Sequence, residues 1–328
     1  MNARFKIAAM LTATALASTA TLSGAAAQQT NSPEIVVTAE QMRERTTAYT
    51  TAVALASASE DQYARWDDEI CPRVAGLPAA DAQTLIDHIA RRAHEVGLGA
   101  GAAGCRANVV IMFAPNANTV AREIVDTRRD LLGYYSQDNM ASAGRDALEA
   151  FANTARPVRW WHVSQTTSAD GRELGQAEAR HGGAGAEAQA MNQAAGSGDP
   201  SSGSSAGATI SGVDTVRSNG MRTRRTTRQD LSFALIIVDA PSVAGAPATA
   251  TADYISMAAL AQLNPNADMS AFPSILNLFA RGSGPAPTAM TAWDAAFLQG
   301  LYRTRREAGA RQQRSDIARR MADAIPTN

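Results

Sequence analysis

The side chains that could perform acid–base chemistry in this chain are few and far apart. Its 4 histidines include His162, which follows Trp160 and Trp161 on a predicted strand. His162 could form a hydrolase triad with Asp239 and a serine, and Asp253 is a further acid on a later predicted helix. No Gly-x-Ser-x-Gly elbow joins a predicted strand to a predicted helix to present that serine. A hydrogen-bonded structural role for His162 is therefore favoured, and a hydrolase site near His162, Asp239 and Asp253 is the alternative.

The other histidines and the scarcity of lysine argue against several chemistries. His88 and His94 lie about 120° apart around a predicted helix, and both are assigned to its polar side. His181 lies in a low-complexity segment. Lys6 is the sole lysine, so the exported chain has no amine for a Schiff base and no lysine for a phosphate-binding loop. We expect no metal and no cofactor.

Residues 1–27 have the pattern of a secretory signal peptide. Arg4 and Lys6 precede an apolar run, and a small-residue cleavage site lies at residues 25–27. The apolar run is shorter than the roughly 20 residues that span a bilayer. We therefore predict a periplasmic or secreted protein without a transmembrane segment after cleavage. Cleavage changes the formal net charge from −1 to −3, because it removes Arg4 and Lys6 and no acid; this balance gives no support for nucleic-acid binding.

Cys71 and Cys105 are the only cysteines in the chain. In an oxidising compartment a disulfide between them is the expected outcome. It would join a predicted edge strand to the start of the next strand, and the chain-entropy model gives it about 3.8 kcal/mol of stability. A catalytic or metal-binding cysteine is the poorer alternative, because no histidine lies near either one in the sequence.

The predicted fold class is α+β, with a single mixed sheet and packed helices. The unbroken apolar run Phe233–Val238 predicts a strand that is covered on both faces. The helix after it is apolar around its whole circumference, which predicts burial, and Pro265 predicts its end at Asn264. Further strands are predicted at Glu69–Gly76, Ala107–Phe113, Pro157–Val163 and Thr209–Val216. Further helices are predicted at residues 81–97, 119–132, 138–153 and 312–324, and from Thr291 onwards.

Composition divides the mature chain into two parts. Residues 28–60 are polar and rich in alanine, and they are predicted to be a flexible exported segment. Residues 61–328 are predicted to be one α+β domain that begins near Trp66. Within it, residues 168–208 contain almost no large apolar side chain, which predicts a disordered insertion because so little surface can be buried.

An arginine-rich segment follows this insertion. Five arginines fall within residues 217–228 and are interleaved with threonine. A patch for nucleic acid or an acidic ligand is one interpretation, but no aromatic residue is present to stack on a base. An exposed edge strand protected by charge is the favoured interpretation. The arginines are Arg217, Arg222, Arg224, Arg225 and Arg228.

A β-branched hexapeptide lies in the exported N-terminal segment. It consists of Glu34, Ile35, Val36, Val37, Thr38 and Ala39. It resembles the short TonB-contacting box near the mature N-terminus of TonB-dependent outer-membrane receptors. The resemblance implies binding to a TonB-like or other envelope protein by strand addition. The chain is too short to be such a receptor, and the alternative is that the hexapeptide pairs with this protein's own sheet.

The mature domain as a whole resembles a group of uncharacterised secreted proteins of alphaproteobacteria. Trp66 with Ile70-Cys-Pro72, Cys105 with Asn108, Ala252-Asp-Tyr254 and Thr291-Ala-Trp-Asp294 carry this resemblance. More distantly, the strand order looks like zincin-type metallopeptidase folds, whose buried helix carries His-Glu-x-x-His. The matching helix here, Thr251–Leu260, has neither residue, and zinc catalysis needs about three protein ligands. The resemblance therefore implies a degenerate zincin-like fold without peptidase activity.

These features together predict an exported protein of the periplasm or envelope. Its favoured function is non-catalytic partner binding through residues 34–39. The alternative function is a hydrolase whose unrecognised site lies near His162, Asp239 and Asp253.

Overall fold

Strand β5, Thr227–Asp239, is the central strand that the apolar run predicts. In the computed structural model, Ala234 to Val238 are each at most 3% exposed. Both faces of β5 are therefore covered, as expected for an unbroken branched run. The structure describes residues 38–56, 61–133, 140–141, 143–171, 225–280, 282 and 285–326, all within a single unit.

One mixed sheet, in the order β1-β2-β5-β4-β3, is present in this part of the chain. Strands β1 (Pro72–Ala75), β2 (Val109–Ala114) and β5 run parallel. Strand β4 (Val158–Ser168) is antiparallel to β5, and the two-residue β3 (Met140–Ala141) is antiparallel to β4. The α+β class with a single mixed sheet is thus observed, whereas the zincin-like topology stays a prediction.

Helices cover both faces of the sheet and form two cores. The larger core contains α1 (Ala39–Val53), α2 (Ala79–Glu95), α6 (Ala248–Leu260), α7 (Ala292–Arg303) and α8 (Ala310–Ala324). The smaller core contains α3 (Ala117–Thr127) and α4 (Arg145–Asn153). The short α5 (Ala240–Val243) leads from β5 towards α6, and 3-10 turns occur at Arg129–Leu132 and Ile275–Asn277. Side chains of β4 alternate between the cores, so Trp160 lies in the larger and Trp161 in the smaller.

Helix α6 confirms the predicted buried helix. Its residues from Ala250 to Leu260 are buried, with the exception of Ala252. The predicted end at Asn264 is wrong, because Ala261 already has an extended backbone. Leu263 then forms a β-bridge with Ala54, which ties the chain after α6 to the end of α1.

Residues 39–53 form helix α1, so the prediction of a flexible segment at 28–60 is wrong for this part. Thr38 caps the helix: its hydroxyl accepts the Gln41 N–H, and the Gln41 side chain accepts the Thr38 N–H. Tyr49 and Val53 have no exposed surface, and the helix packs against α8. Burial of these apolar side chains offsets the entropy of ordering the segment.

The predicted disulfide is confirmed. Cys71 and Cys105 are bonded, with their Cα atoms 6.0 Å apart. Cys71 lies next to β1 and Cys105 lies in the loop before β2. The bond therefore joins the ends of the segment that contains α2.

Several predicted features lie outside the described residues. These are the signal peptide, Glu34–Val37 of the hexapeptide, most of the insertion at 168–208 with His181, and the strand predicted at 209–216. The last two hexapeptide residues, Thr38 and Ala39, are the cap and the first residue of α1 rather than part of a strand. The prediction of strand addition therefore stays open for Glu34–Val37 alone.

Candidate functional site

The three residues of the alternative hydrolase site bind different partners and form no triad. The ring Nε2 of His162 donates to the carbonyl oxygen of Ala258 on α6, at 2.7 Å. Asp239 accepts hydrogen bonds from the first N–H of α3 and from the Ser242 hydroxyl. Asp253 accepts from side chains of α2. The structure therefore does not bring His162, Asp239 and Asp253 together as acid, base and orienting group.

His162 is held as a neutral imidazole. Burial lowers its pKa to about 4, although the hydrogen bond to Ala258 acts in the opposite direction. A carbonyl oxygen only accepts, so Nε2 carries the hydrogen. These contacts agree with a structural role. A Gly-x-Ser-x-Gly sequence is present at residues 203–207, which lie outside the described residues and in the predicted insertion.

Asp253 is a fully buried acid between α6 and α2. Its Oδ1 accepts from His88 Nε2 at 2.6 Å and from Arg92 Nε at 2.7 Å. Its Oδ2 accepts from the Met290 N–H at 2.7 Å. Burial acts to raise the pKa of Asp253, but these hydrogen bonds outweigh it and the pKa is lowered. The placement of His88 on the polar side of its helix is therefore wrong, because His88 faces this acid, whereas His94 is exposed.

Arg228 is a buried residue of β5, so the interpretation as an exposed edge strand is wrong here. Its guanidinium contacts Asp67 and Asp230. Arg306 contacts the same two acids, at 2.7 and 2.9 Å. The ion pairs make this cluster a structural link between β5 and the chain after α7. Three other arginines of that segment lie outside the described residues, namely Arg217, Arg222 and Arg224.

A pocket of about 170 Å³ lies beside β4, between α4 and the chain that follows α6. Much of its wall is apolar, and includes Ala147, Ala150, Phe151, Trp160 and Trp161. Its polar side chains are Arg156, Arg159, His162, Gln262, Asn264 and Asn266. The mixture of an apolar wall with a few convergent polar groups is typical of a ligand site.

The pocket lies at the open edge of β4. Trp160 and Trp161 both line it, yet they belong to opposite cores. Successive side chains of a strand point to opposite faces, so a cavity that touches both must lie at the side of the strand. Within the described residues, β3 covers this side of β4 only at Ser164 and Gln165. The β4 residues that line the pocket, Arg159 to His162, therefore lie where no described strand pairs with this edge.

Arg159 is the most deeply buried charge at this pocket, with 2% of its surface exposed. It donates to the Phe151 carbonyl at the end of α4, at 2.6 Å, and to the Asn118 side chain. Its Nε has no hydrogen-bond partner among the described residues. Burial lowers the pKa of Arg159 and the neighbouring Arg156 lowers it further, whereas the more distant carboxylate of Asp239 acts in the opposite direction. Both observations indicate a cation without a counter-charge in contact.

Arg156 and Gln262 complete the polar part of the pocket. Arg156 donates to the Pro265 carbonyl and to the Asn266 side chain, which are both neutral. Burial lowers the pKa of Arg156 as well. Gln262 is 7% exposed, and its side-chain oxygen accepts no hydrogen bond in the described part of the chain. The pocket therefore combines two cations with an unused acceptor.

The described residues contain neither a cluster of metal ligands nor a helix that could span a membrane. No group of three or more His, Cys, Asp or Glu side chains among the described residues could hold a metal ion. In the same residues, no helix is both long and apolar enough to cross a membrane.

Comparisons with protein-family models, with curated proteins and with solved structures found no match. The signal for the pocket in the sequence is Arg156-Pro-Val-Arg159, a pair of arginines with no acid between them, immediately before Trp160.

Proposed function

We propose that this protein is an exported, non-catalytic binding protein whose pocket at the β4 edge takes a ligand group bearing one carboxylate. The observation that carries the proposal is that Arg159 and Arg156 line one pocket, and that neither contacts a carboxylate within the described residues. A buried charge is costly when it has no counter-charge. An anion that reaches both guanidiniums would relieve that cost with charge-assisted hydrogen bonds.

The size and lining of the pocket support a small monocarboxylate. Its volume of about 170 Å³ is below the roughly 300 Å³ at which pockets for drug-sized ligands begin. Phe151, Trp160 and Trp161 offer apolar surface beside the arginines. A ligand with one charged head and an apolar group fits this division better than a phosphate dianion, which would need more hydrogen-bond donors.

The pocket supports binding rather than catalysis. A general base needs a pKa near the working pH, and His162 has its pKa lowered to about 4 by burial. Its one ring N–H is already donated to Ala258. Asp239 and Asp253 are likewise hydrogen-bonded elsewhere. For the hydrolase alternative, His162, Asp239 and Asp253 would have to give up these hydrogen bonds and form new ones.

Export is part of the proposal. The disulfide between Cys71 and Cys105 supports it, since such bonds persist in oxidising compartments. The signal-peptide pattern at residues 1–27 supports it independently. Partner binding through Glu34–Val37 stays a separate prediction.

Titration calorimetry with isovalerate and with its neutral primary amide tests the function. We expect the acid to bind and the amide to bind at least about tenfold more weakly, since a charge-assisted hydrogen bond is lost. Arg159→Met should lower the affinity for isovalerate by a similar factor. Arg73→Met is the matched control, because Arg73 is an exposed arginine on β1 at the opposite side of the sheet.

Two outcomes would contradict the proposal. One is that wild-type protein gives no binding heat with isovalerate, or binds acid and amide equally. The other is that Arg73→Met weakens binding as much as Arg159→Met, which would indicate a general charge effect. Preferential binding of inorganic phosphate would replace the monocarboxylate by a different class of anion.

A further inference from the structure

We propose that the carboxylate is the C-terminus of a polypeptide, and that the last residues of this polypeptide pair with the open edge of β4 as an added strand. The inference rests on the proposed anion site. It adds a requirement that a small acid does not meet, because the ligand must also supply backbone N–H and C=O groups. Capture of a terminal carboxylate and addition of a strand are both recurrent modes of peptide recognition.

The register of β4 shows which backbone groups face the pocket. The Asp239 N–H donates to the Pro157 carbonyl at 2.8 Å, and β4 runs antiparallel to β5. Pro157 accepts this bond, and Arg159, Trp161 and Val163 therefore exchange hydrogen bonds with β5. The backbone N–H and C=O groups of the residues between them point to the other side of β4. The residues whose N–H and C=O groups face the open edge are Val158, Trp160 and His162.

These edge residues are buried, and no strand among the described residues pairs with them. Val158, Trp160 and His162 are 2%, 7% and 5% exposed. In the described part of the chain, β3 reaches β4 only at Ser164 and Gln165. Buried backbone groups are almost always hydrogen-bonded in folded proteins. An extended peptide placed along this edge could exchange hydrogen bonds with these backbone groups.

The polar side chains around the edge match the end of a peptide chain. Arg159 and Arg156 supply positive charge for the terminal carboxylate. Gln262 has an unused side-chain oxygen that can accept a peptide N–H. The small volume of the pocket admits only the end of a chain, since β3 pairs with the same edge of β4 from Ser164 onwards. A free monocarboxylate would use the arginines alone and would leave Gln262 and the edge unpaired.

A set of four synthetic peptides tests this inference on the wild-type protein by titration calorimetry. The parent is acetyl-Ala-Ala-Val-Val with a free C-terminal carboxylate, and the second has a C-terminal amide. The third peptide carries a methyl group on the backbone nitrogen of its last residue. The fourth carries it on the backbone nitrogen of its next-to-last residue. Because only alternate residues of an added strand bond to β4, we expect one methylated peptide to bind about tenfold more weakly and the other to bind like the parent.

The parent peptide should also bind at least about tenfold more tightly than isovalerate, because of its added backbone hydrogen bonds. Amide exchange gives an independent measurement. The N–H groups of Val158 and Trp160 should exchange about tenfold more slowly with the parent peptide and unchanged with isovalerate.

The outcomes separate the two proposals. If both methylated peptides bind like the parent, or if isovalerate binds as tightly, the edge pairing is wrong and the carboxylate site stands. Unchanged exchange at Val158 and Trp160 in the presence of bound peptide would also overturn the edge pairing. If neither the peptide acid nor isovalerate binds, the proposed function fails as well.

Discussion

Two groups of buried charge in this fold differ in how they are neutralised. Between α6 and α2, the carboxylate of Asp253 accepts hydrogen bonds from His88 and Arg92. At the β4 edge, Arg159 and Arg156 donate only to neutral oxygens within the described residues. The first group contains its own counter-charge. The second has no carboxylate in contact with it among these residues, although Asp239 lies near enough to Arg159 to raise its pKa.

This difference separates a structural role from a binding role. A buried ion pair is self-contained, and removing one partner leaves the other charge uncompensated. A buried arginine with neutral partners keeps part of its desolvation cost, which an external anion can lower. The two groups should therefore respond in opposite ways to substitution: the first should lose stability, and the second should lose binding.

Substitution of Asp253 by alanine should have the largest effect on stability. It leaves the Met290 N–H and the His88 side chain without their acceptor and breaks the buried ion pair with Arg92, which keeps only its exposed partner Glu95, so we expect a loss of about 3 kcal/mol in the free energy of unfolding. Urea unfolding at pH 7 measures this. Asp253→Asn is the control, because its side-chain oxygen can still accept a hydrogen bond, and it should cost less. A loss below about 1 kcal/mol for Asp253→Ala would contradict the structural role.

The lowered pKa of His162 predicts the next effect. Its unfolded pKa is about 6.5 and its folded pKa is about 4, so the folded state favours the neutral form. The stability from this difference is fully present above pH 6.5 and is lost as the pH falls towards 4. The loss amounts to about 3 kcal/mol at pH 4. It is observed as the difference in acid sensitivity between wild type and a variant that lacks His162.

Urea unfolding of wild type and His162→Gln between pH 7 and pH 4 measures that difference. Wild type should lose more stability on acidification than the variant, which lacks the titrating ring. His94→Gln removes an exposed histidine and should follow the wild-type curve. Parallel curves for wild type and His162→Gln would show that His162 is not held neutral by burial.

The fold was largely predictable because its main signals are local. The apolar run at Phe233–Val238 and the apolar helix after it need no distant information, and both are where the sequence predicts them. The failure at α1 has a physical cause. Its buried residues follow helical spacing, but several of them are threonines, and the segment is otherwise polar and small. The buried members are Met42, Thr46, Tyr49, Thr50 and Val53.

The candidate site was less predictable because it depends on contacts between distant segments. His88 lies three residues after Leu85, so helical periodicity already places it beside the buried face of α2. Its pairing with Asp253 depends on the packing of α6 against α2 and is not visible in the sequence. Arg159 next to Trp160 is visible in the sequence, but the absence of an acid in contact becomes apparent only from the packing of α4 against β4. The sequence supplies the residue types, and tertiary packing decides which charges meet.

Substitution of Arg159 by methionine should change stability much less than Asp253→Ala. The change removes the hydrogen bonds to Phe151 and Asn118, but it also removes a buried charge that lacks a contacting acid. Replacing buried charges by apolar side chains of similar size is often neutral, so we expect a change within about 1 kcal/mol. Thermal and urea unfolding measure this. A loss comparable to Asp253→Ala would remove the distinction between the two groups.

Substitution of Arg156 by glutamine should have the smallest effect on stability. Arg156 is only partly buried, and its bonds are to neutral groups at Pro265 and Asn266, so we expect a change within about 0.5 kcal/mol. Its charge is also better solvated than that of Arg159. The affinity for isovalerate should therefore fall by about threefold, because a partly exposed charge contributes less to an ion pair.

Titration of isovalerate into Arg156→Gln and Arg159→Met measures this difference. Added salt should reduce the contribution of Arg156 more than that of Arg159, because exposed charges are screened more strongly. If Arg156→Gln loses binding and Arg159→Met keeps it, the carboxylate lies at the mouth of the pocket. The buried Arg159 would then serve to hold the end of α4 against β4. Arg159 and Asp253 would both have structural roles, and the two residues would differ only in where they lie in the fold.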